Sequence, residues 1–67
     1  MTPILTQRER QIFLMIKENY KTSQIADKLN ISEKTVRNHI SNVMNKLGAV
    51  SRAYAMLELV KLKEIEL

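Results

Sequence analysis

The stretch IADKLNISEKTVRNHISNVMNKLG, residues 25–48, contains two helical patterns of apolar residues separated by a very short interruption. Only Asn30, Ile31 and Ser32 intervene, and Ser is a favoured N-cap residue for a helix that begins directly after it. A three-residue connection does not easily let two helices lie antiparallel, so we expect them to cross steeply near Ala26 and Ile31. The stretch therefore predicts a helix-turn-helix unit over about residues 22–47.

The flanking sequence predicts one further helix on each side of this unit. Thr6 and Glu9 have the spacing of a capping box, and Gly48 lies where a left-handed residue ends a helix. Thr22 or Ser23 is expected to cap the second helix, and Ser51 the fourth. We predict an all-α fold, a single four-helix domain over residues 1–67, with helices at about 7–19, 23–29, 33–47 and 52–64. The first helix is expected to bury Ile12, Phe13, Ile16 and Tyr20.

Composition excludes several classes of function. The 67 residues contain no Cys and one His, so neither a disulfide framework nor a zinc site is expected. His39 has no catalytic partner at a meaningful spacing, and the capping box accounts for Glu9. No apolar run is long enough to cross a bilayer. We expect a cytoplasmic protein that is not an enzyme, with no cofactor, small-molecule ligand or membrane partner.

Positive charge is concentrated in the middle of the chain. The formal net charge is +4, and residues 21–52 alone carry six cations against two acids. The terminal segments nearly cancel each other. A local cationic excess favours a polyanionic partner, of which nucleic acid is the commonest.

The predicted third helix has two faces of different chemistry. At about 100° per residue, the apolar side chains form one stripe and the polar side chains lie opposite or beside it. Arg can donate two hydrogen bonds to guanine, and Asn can pair with adenine in the same bidentate way. The expected core stripe is Val36, Ile40, Val43 and Leu47, and the polar face carries Lys34, Arg37, Asn38, Ser41, Asn42 and Asn45.

Hydroxyl and cationic groups beside this face are candidates for contacts with the DNA backbone. Thr22 and Ser23 would offer hydroxyls and free N–H groups at a helix N-terminus, which suits a phosphate. The further phosphate candidates are Thr35, Lys46 and Arg52.

The sequence resembles the LuxR/FixJ/GerE-type helix-turn-helix regulators. The shared signature is LTQRE at 5–9, SQIADKLNISEKTVRNHISNVMNKLG at 23–48 and SRAYA at 51–55. The resemblance extends over about residues 4–66 and is strongest to short sporulation regulators without a receiver domain. It implies that helix 3 enters the major groove, with base contacts from Arg37, Asn38 and Ser41 and backbone contacts from Lys34, Thr35 and Lys46. It also implies dimerisation through helix 4, and RNA polymerase is a candidate partner.

Helix 4 carries two apolar strips on roughly opposite sides, although a peripheral helix needs only one buried face. Ala53, Leu57 and Val60 form the first strip. The second strip, with Met56 beside it, is the predicted interface of a two-fold homodimer. The predicted interface residues are Ala55, Met56, Leu59 and Leu62.

The leading hypothesis is a homodimeric, sequence-specific regulator of transcription that binds double-stranded DNA, with a role in sporulation on resemblance alone. Three alternatives remain open. The chain could be the excised effector domain of a two-component response regulator. It could also be a small RNA-binding protein, which competition between duplex DNA and RNA would distinguish. It could instead be a protein–protein adaptor, which would show no response to DNA or salt in an electrophoretic shift assay.

Overall fold

The computed structural model describes residues 3–67, so the first two residues of the predicted domain lie outside it. Four α-helices follow one another and no strand occurs in this range: α1 (Gln7–Lys17), α2 (Thr22–Leu29), α3 (Glu33–Leu47) and α4 (Arg52–Lys61). The predicted all-α, four-helix fold is confirmed. The predicted bounds of α3 match those in the structure.

Side-chain caps determine where three of the helices begin. The Glu9 backbone N–H donates to Thr6 Oγ1 (3.1 Å) and the Thr6 N–H donates to Glu9 Oε1 (2.9 Å), which completes the predicted capping box. Ser32 and Ser51 cap α3 and α4 in the same position. The prediction that Thr22 or Ser23 caps α2 is wrong, because α2 begins one residue earlier than expected. Its N-cap is Lys21, whose N–H donates to the side chain of Gln24 (2.8 Å).

Left-handed residues end the helices, and two of them end a helix sooner than predicted. Asn19 has φ 72° and Lys63 has φ 60°. The N–H that follows each one folds back onto the last turn: Tyr20 donates to the Met15 carbonyl (3.0 Å) and Glu64 to that of Leu59 (2.9 Å). The predicted ends of α1 at 19 and α4 at 64 are therefore corrected to Lys17 and Lys61, since the apolar spacing carries no signal for a left-handed Asn or Lys.

The core is built around α3, which packs against each of the other three helices. Its predicted stripe is confirmed, with Leu47 half-buried at the edge of the core. Burying one such aliphatic side chain contributes about 1.5–3 kcal/mol, so this stripe is a large part of the stability of a small domain. The buried apolar residues are Leu5, Ile12, Phe13, Ile25, Ala26, Val36, Ile40, Val43, Ala55, Leu59 and Ile65, with Ile16 and Tyr20 half-buried against them.

The segment after α4 closes the core against α1. Ile65 is almost completely buried, and the Arg10 guanidinium donates to both the carbonyl and the carboxylate of Glu64. Lys17 Nζ donates to the carbonyl of Glu66 (2.8 Å). The sequence had assigned residues 62–64 of this segment to a longer α4. In the structure it turns back and contacts α1 through Arg10 and Lys17.

Asn30, at φ 57° in the turn between α2 and α3, provides a test of the left-handed constraint. We expect Asn30→Ala to lower the free energy of unfolding by about 1 kcal/mol, because Ala tolerates this conformation less well than Asn. Asn45→Ala makes the same chemical change at an exposed helical position and should leave stability unchanged or slightly raised. Urea denaturation of both variants is the measurement, and equal stability of the two would contradict the expectation.

Candidate nucleic-acid interface

The polar face of α3 is exposed because the opposite face is buried. Lys34, Arg37, Asn38 and Ser41 are all exposed, whereas Val36, Ile40 and Val43 are fully or almost fully buried. The face continues to Asn45 and extends about 16 Å along the helix axis. Guanidinium, amine, carboxamide and hydroxyl groups are thus displayed together on one surface, as the sequence predicted.

The turn before α3 holds this face in a defined direction. Asn30 and Ile31 donate their backbone N–H groups to the carbonyls of Asp27 (3.3 Å) and Ala26 (3.0 Å). Ile31 is half-buried against the core, and the cap at Ser32 starts α3 immediately afterwards. The turn therefore has two hydrogen bonds and one apolar anchor, which restrict the movement of α3 relative to α2.

The two residues predicted to contact a phosphate at the N-terminus of α2 lie one position further into the helix than expected. Thr22 is half-buried and Ser23 is exposed, and both lie in the first turn rather than at the cap. The first N–H groups of a helix have no partner within it and point toward an approaching anion. The hydroxyl of Thr35 lies 2.9 Å from Ser32 Oγ, so this predicted phosphate contact is already in a local hydrogen bond.

The cations of the interface differ in how freely they can contact DNA. Lys34 and Arg52 are exposed and take part in no ion pair among residues 3–67. Arg37 has its Nη1 3.8 Å from Oε1 of Glu33, one turn earlier on α3. The four-residue spacing of these opposite charges is a signal for such a pair in the sequence itself.

The amine of Lys46 is held by contacts within the protein, although the side chain is 37% exposed. Its Nζ lies 2.6 Å from Glu9 Oε1 and 3.1 Å from the Ile4 carbonyl oxygen. These contacts join the C-terminal end of α3 to the segment before α1. A phosphate would have to compete with both acceptors, so the main observed role of Lys46 is to hold α3 in place.

The Glu9 carboxylate has a pKa below its ordinary value. Burial is the largest single influence and raises the pKa. Hydrogen bonds from Lys46 and from the Thr6 N–H, together with the positive charge of Lys46, outweigh burial and lower it. Glu9 is the only buried charged residue among those described, and it is stabilised in its ionised form by these donors.

Because the pKa of folded Glu9 is depressed, its contribution to stability is present above the ordinary glutamate value of about 4.3 and is lost as the pH falls through the folded-state pKa. We expect the melting temperature of Glu9→Gln to fall less steeply below about pH 4 than that of the wild type. Glu18→Gln removes the same charge from the exposed residue that follows α1 and serves as the control. Identical slopes for the wild type and Glu9→Gln would contradict this role.

Helix α4 presents the opposite strip from the one predicted for a dimer interface. Ala55 and Leu59 are fully buried in the core of the chain itself, so their assignment to an interface is wrong. The strip of Ala53, Leu57 and Val60 faces outward instead, with Leu57 half exposed. Ala55 is small enough to allow close approach of α4 to the core, and this packing decides which strip is covered. Met56 is half-buried and Leu62 remains exposed.

A family model for the bacterial regulatory proteins of the luxR family matches residues 3–59 of this chain. The match includes α1, the helix-turn-helix unit and most of α4. The chain belongs to the luxR family of bacterial regulatory proteins. It is accordingly a DNA-binding regulator of transcription and not an enzyme, as the polar face of α3 had indicated.

The relatives of this chain differ in the share of their own length that the match covers. The spore germination protein GerE of Bacillus subtilis (strain 168) is 52% identical over 65 residues, which are 97% of this chain and 88% of that protein. A solved structure of the transcription factor GerE superposes with a TM-score of 0.91 at 52% identity, and the match covers 94% of each chain. This chain thus shares its fold and its helix-turn-helix arrangement with a transcription factor whose structure has been solved.

Two longer relatives match only in part. The transcriptional regulatory protein DegU of Brevibacillus brevis is 40% identical over 87% of this chain, and the response regulator VraR of Staphylococcus aureus (strain Mu3 / ATCC 700698) is 39% identical over 81%. The matched segments are 25% and 26% of those two proteins.

No helix among residues 3–67 is long and apolar enough to cross a membrane.

Proposed function

We propose that this protein is a sequence-specific regulator that places α3 in the major groove of double-stranded DNA and acts as a homodimer. The observation that carries the proposal is the face of Arg37, Asn38 and Ser41. These exposed side chains lie on a helix whose other side is locked into the core. In a helix-turn-helix unit the second helix reads the groove while the first crosses the backbone.

Base recognition and backbone contact are assigned to different residues. Arg37 and Asn38 can each make bidentate contacts with a base edge, worth about 1–3 kcal/mol of discrimination per good pair. Lys34 and Arg52, with Thr22, Ser23 and Thr35, flank the reading face and suit phosphate contacts. Lys46 contributes chiefly by holding the C-terminal end of α3. Salt should weaken binding in proportion to the number of phosphates neutralised.

The outward strip of α4 supports the proposed homodimer. Leu57 and its neighbour Tyr54 are each about half exposed, and Val60, one turn after Leu57, is half-buried. Pairing this strip with its copy would cover apolar surface and set two α3 helices on half-sites about one DNA turn apart. Of the interface residues expected from sequence, Met56 and Leu62 retain exposed surface, and we propose Leu57 and Tyr54 in place of the buried Leu59 and Ala55.

Similarity to the spore germination protein GerE over most of the length of both chains supports a role in the sporulation programme of a bacterium. In that role the protein would work on the chromosome in the cytoplasm and act with RNA polymerase. The partial matches to DegU and VraR support the alternative of an effector domain belonging to a longer response regulator.

Selection from a randomised-duplex library with the purified protein tests both specificity and symmetry. We expect palindromic or closely spaced paired half-sites to be enriched. Competition with single-stranded RNA should not displace the selected duplex. Absence of any enriched sequence, or preferential binding of RNA, would overturn the proposed function.

Arg37→Ala and Lys34→Ala separate the two kinds of contact. Arg37→Ala should reduce preference at one base position by about 5–150-fold, the loss of one bidentate pair. Lys34→Ala should weaken binding to all duplexes by the same factor, whatever their sequence. It should also reduce the salt dependence of binding by the contribution of about one phosphate contact. Fluorescence anisotropy on the selected duplex and its single-base variants measures both. Unchanged base preference in Arg37→Ala would remove Arg37 from the reading set.

Leu57→Lys tests the revised dimer surface. We expect a folded monomer with much weaker binding to paired half-sites, because a charge would have to be buried in the α4 interface. Leu14→Lys makes the same change at an exposed leucine of α1 and should leave the oligomeric state unchanged. Sedimentation equilibrium and circular dichroism distinguish loss of association from loss of folding. Dimeric Leu57→Lys would place the interface elsewhere.

A further inference from the structure

Glu33 is an acidic residue on a surface whose other polar side chains are suited to contact with DNA. It is exposed in the first turn of α3, where a recognition helix approaches the bases most closely. No other acid occurs between residues 28 and 57. A carboxylate beside the phosphate backbone is repelled by it, so the position of Glu33 carries an electrostatic cost unless it makes a compensating contact.

The structure provides such a contact on the same helix. Glu33 Oε1 lies 3.8 Å from Arg37 Nη1, and the two side chains are 51% and 57% exposed. An acid four residues before a base is the favourable order for an ion pair along a helix. The carboxylate therefore draws the guanidinium toward the N-terminal end of α3, the end that enters the groove.

Orientation matters for Arg37 because a free guanidinium explores many rotamers. Ordering a long side chain on binding has an entropic cost, which decreases when the group is already held in its bound direction. One edge of the guanidinium can face Glu33 while two other N–H groups remain available for guanine O6 and N7.

We propose that Glu33 is a specificity-determining positioning residue, which holds the guanidinium of Arg37 for contact with a guanine. This inference rests on the proposed function, since it requires that Arg37 reads a base. Glu33 improves discrimination while opposing general affinity for DNA. Its two effects have opposite signs and can be measured separately.

The test uses Glu33→Gln, which keeps the size of the side chain and removes its charge. The probes are the duplex selected by the wild-type protein and its variants at the position where Arg37→Ala loses preference. Glu33→Gln should reduce guanine preference there by about twofold, less than complete loss of the bidentate pair, because an exposed ion pair along a helix stabilises one position of the guanidinium only weakly. It should also bind unrelated duplex DNA more tightly, because one repulsive charge has been removed.

Glu58→Gln is the matched control. Glu58 Oε1 lies 3.8 Å from Lys61 Nζ on α4, so this variant removes the same charge from an ion pair of the same length away from the reading face. It should leave base preference at the Arg37 position unchanged. Circular dichroism checks that both variants are folded.

An Arg37→Ala background distinguishes orientation from direct reading of a base by Glu33. If Glu33 acts through Arg37, Glu33→Gln has no further effect on base preference in that background. A change of preference that persists there would show that Glu33 contacts a base itself, and it would overturn the proposal. Unchanged guanine preference in the single variant would also overturn it. Sequence-specific binding by the wild type in the same assay keeps either result separate from failure of the proposed function.

Discussion

Burial of one stripe of α3 is the constraint on which the rest of the structure depends. Val36, Ile40 and Val43 are removed from water by α1, α2 and α4, each of which packs on this helix. The same burial turns the opposite face outward. The angular position of α3 about its axis therefore determines both the packing of the core and the surface proposed to contact DNA. A rotation of α3 would expose apolar surface and turn Arg37 away from its present outward direction. The stability of the core therefore also enforces the orientation of the reading face.

Polar contacts fix the two ends of α3 where apolar packing alone would allow sliding. At the N-terminal end, the turn at Asn30 and the cap at Ser32 define where the helix starts. At the C-terminal end, the amine of Lys46 joins the helix to Glu9 and to the Ile4 carbonyl. Removing the amine would leave the buried Glu9 carboxylate without its cationic partner, which is costly. The interaction thus connects the capping box of α1 to the position of the recognition helix.

The apolar strip on α4 shows how a pattern can be identified correctly and its orientation assigned incorrectly. Both strips of this helix have helical spacing, and hydropathy alone does not distinguish a core face from an interface face. The decision comes from the close packing of Ala55 and Leu59 in the core and from the segment that returns to bury Ile65. Similarly, the cationic side chain of Lys46 looks like a phosphate ligand until the structure shows Glu9 beside it.

The sequence by itself determined the four helices, the capping box of Thr6 and Glu9, the turn at residues 30–32 and the division of α3 into a core stripe and a polar face. These features depend on contacts within a few residues, so local spacing is enough to predict them. Only the tertiary structure decided the outward strip of α4, the burial of Ile65, the ion pair of Lys46 and the early ends of α1 and α4. Each of the first three depends on residues far apart in the chain, and the helix ends depend on left-handed conformations at Asn19 and Lys63 that side-chain periodicity does not encode.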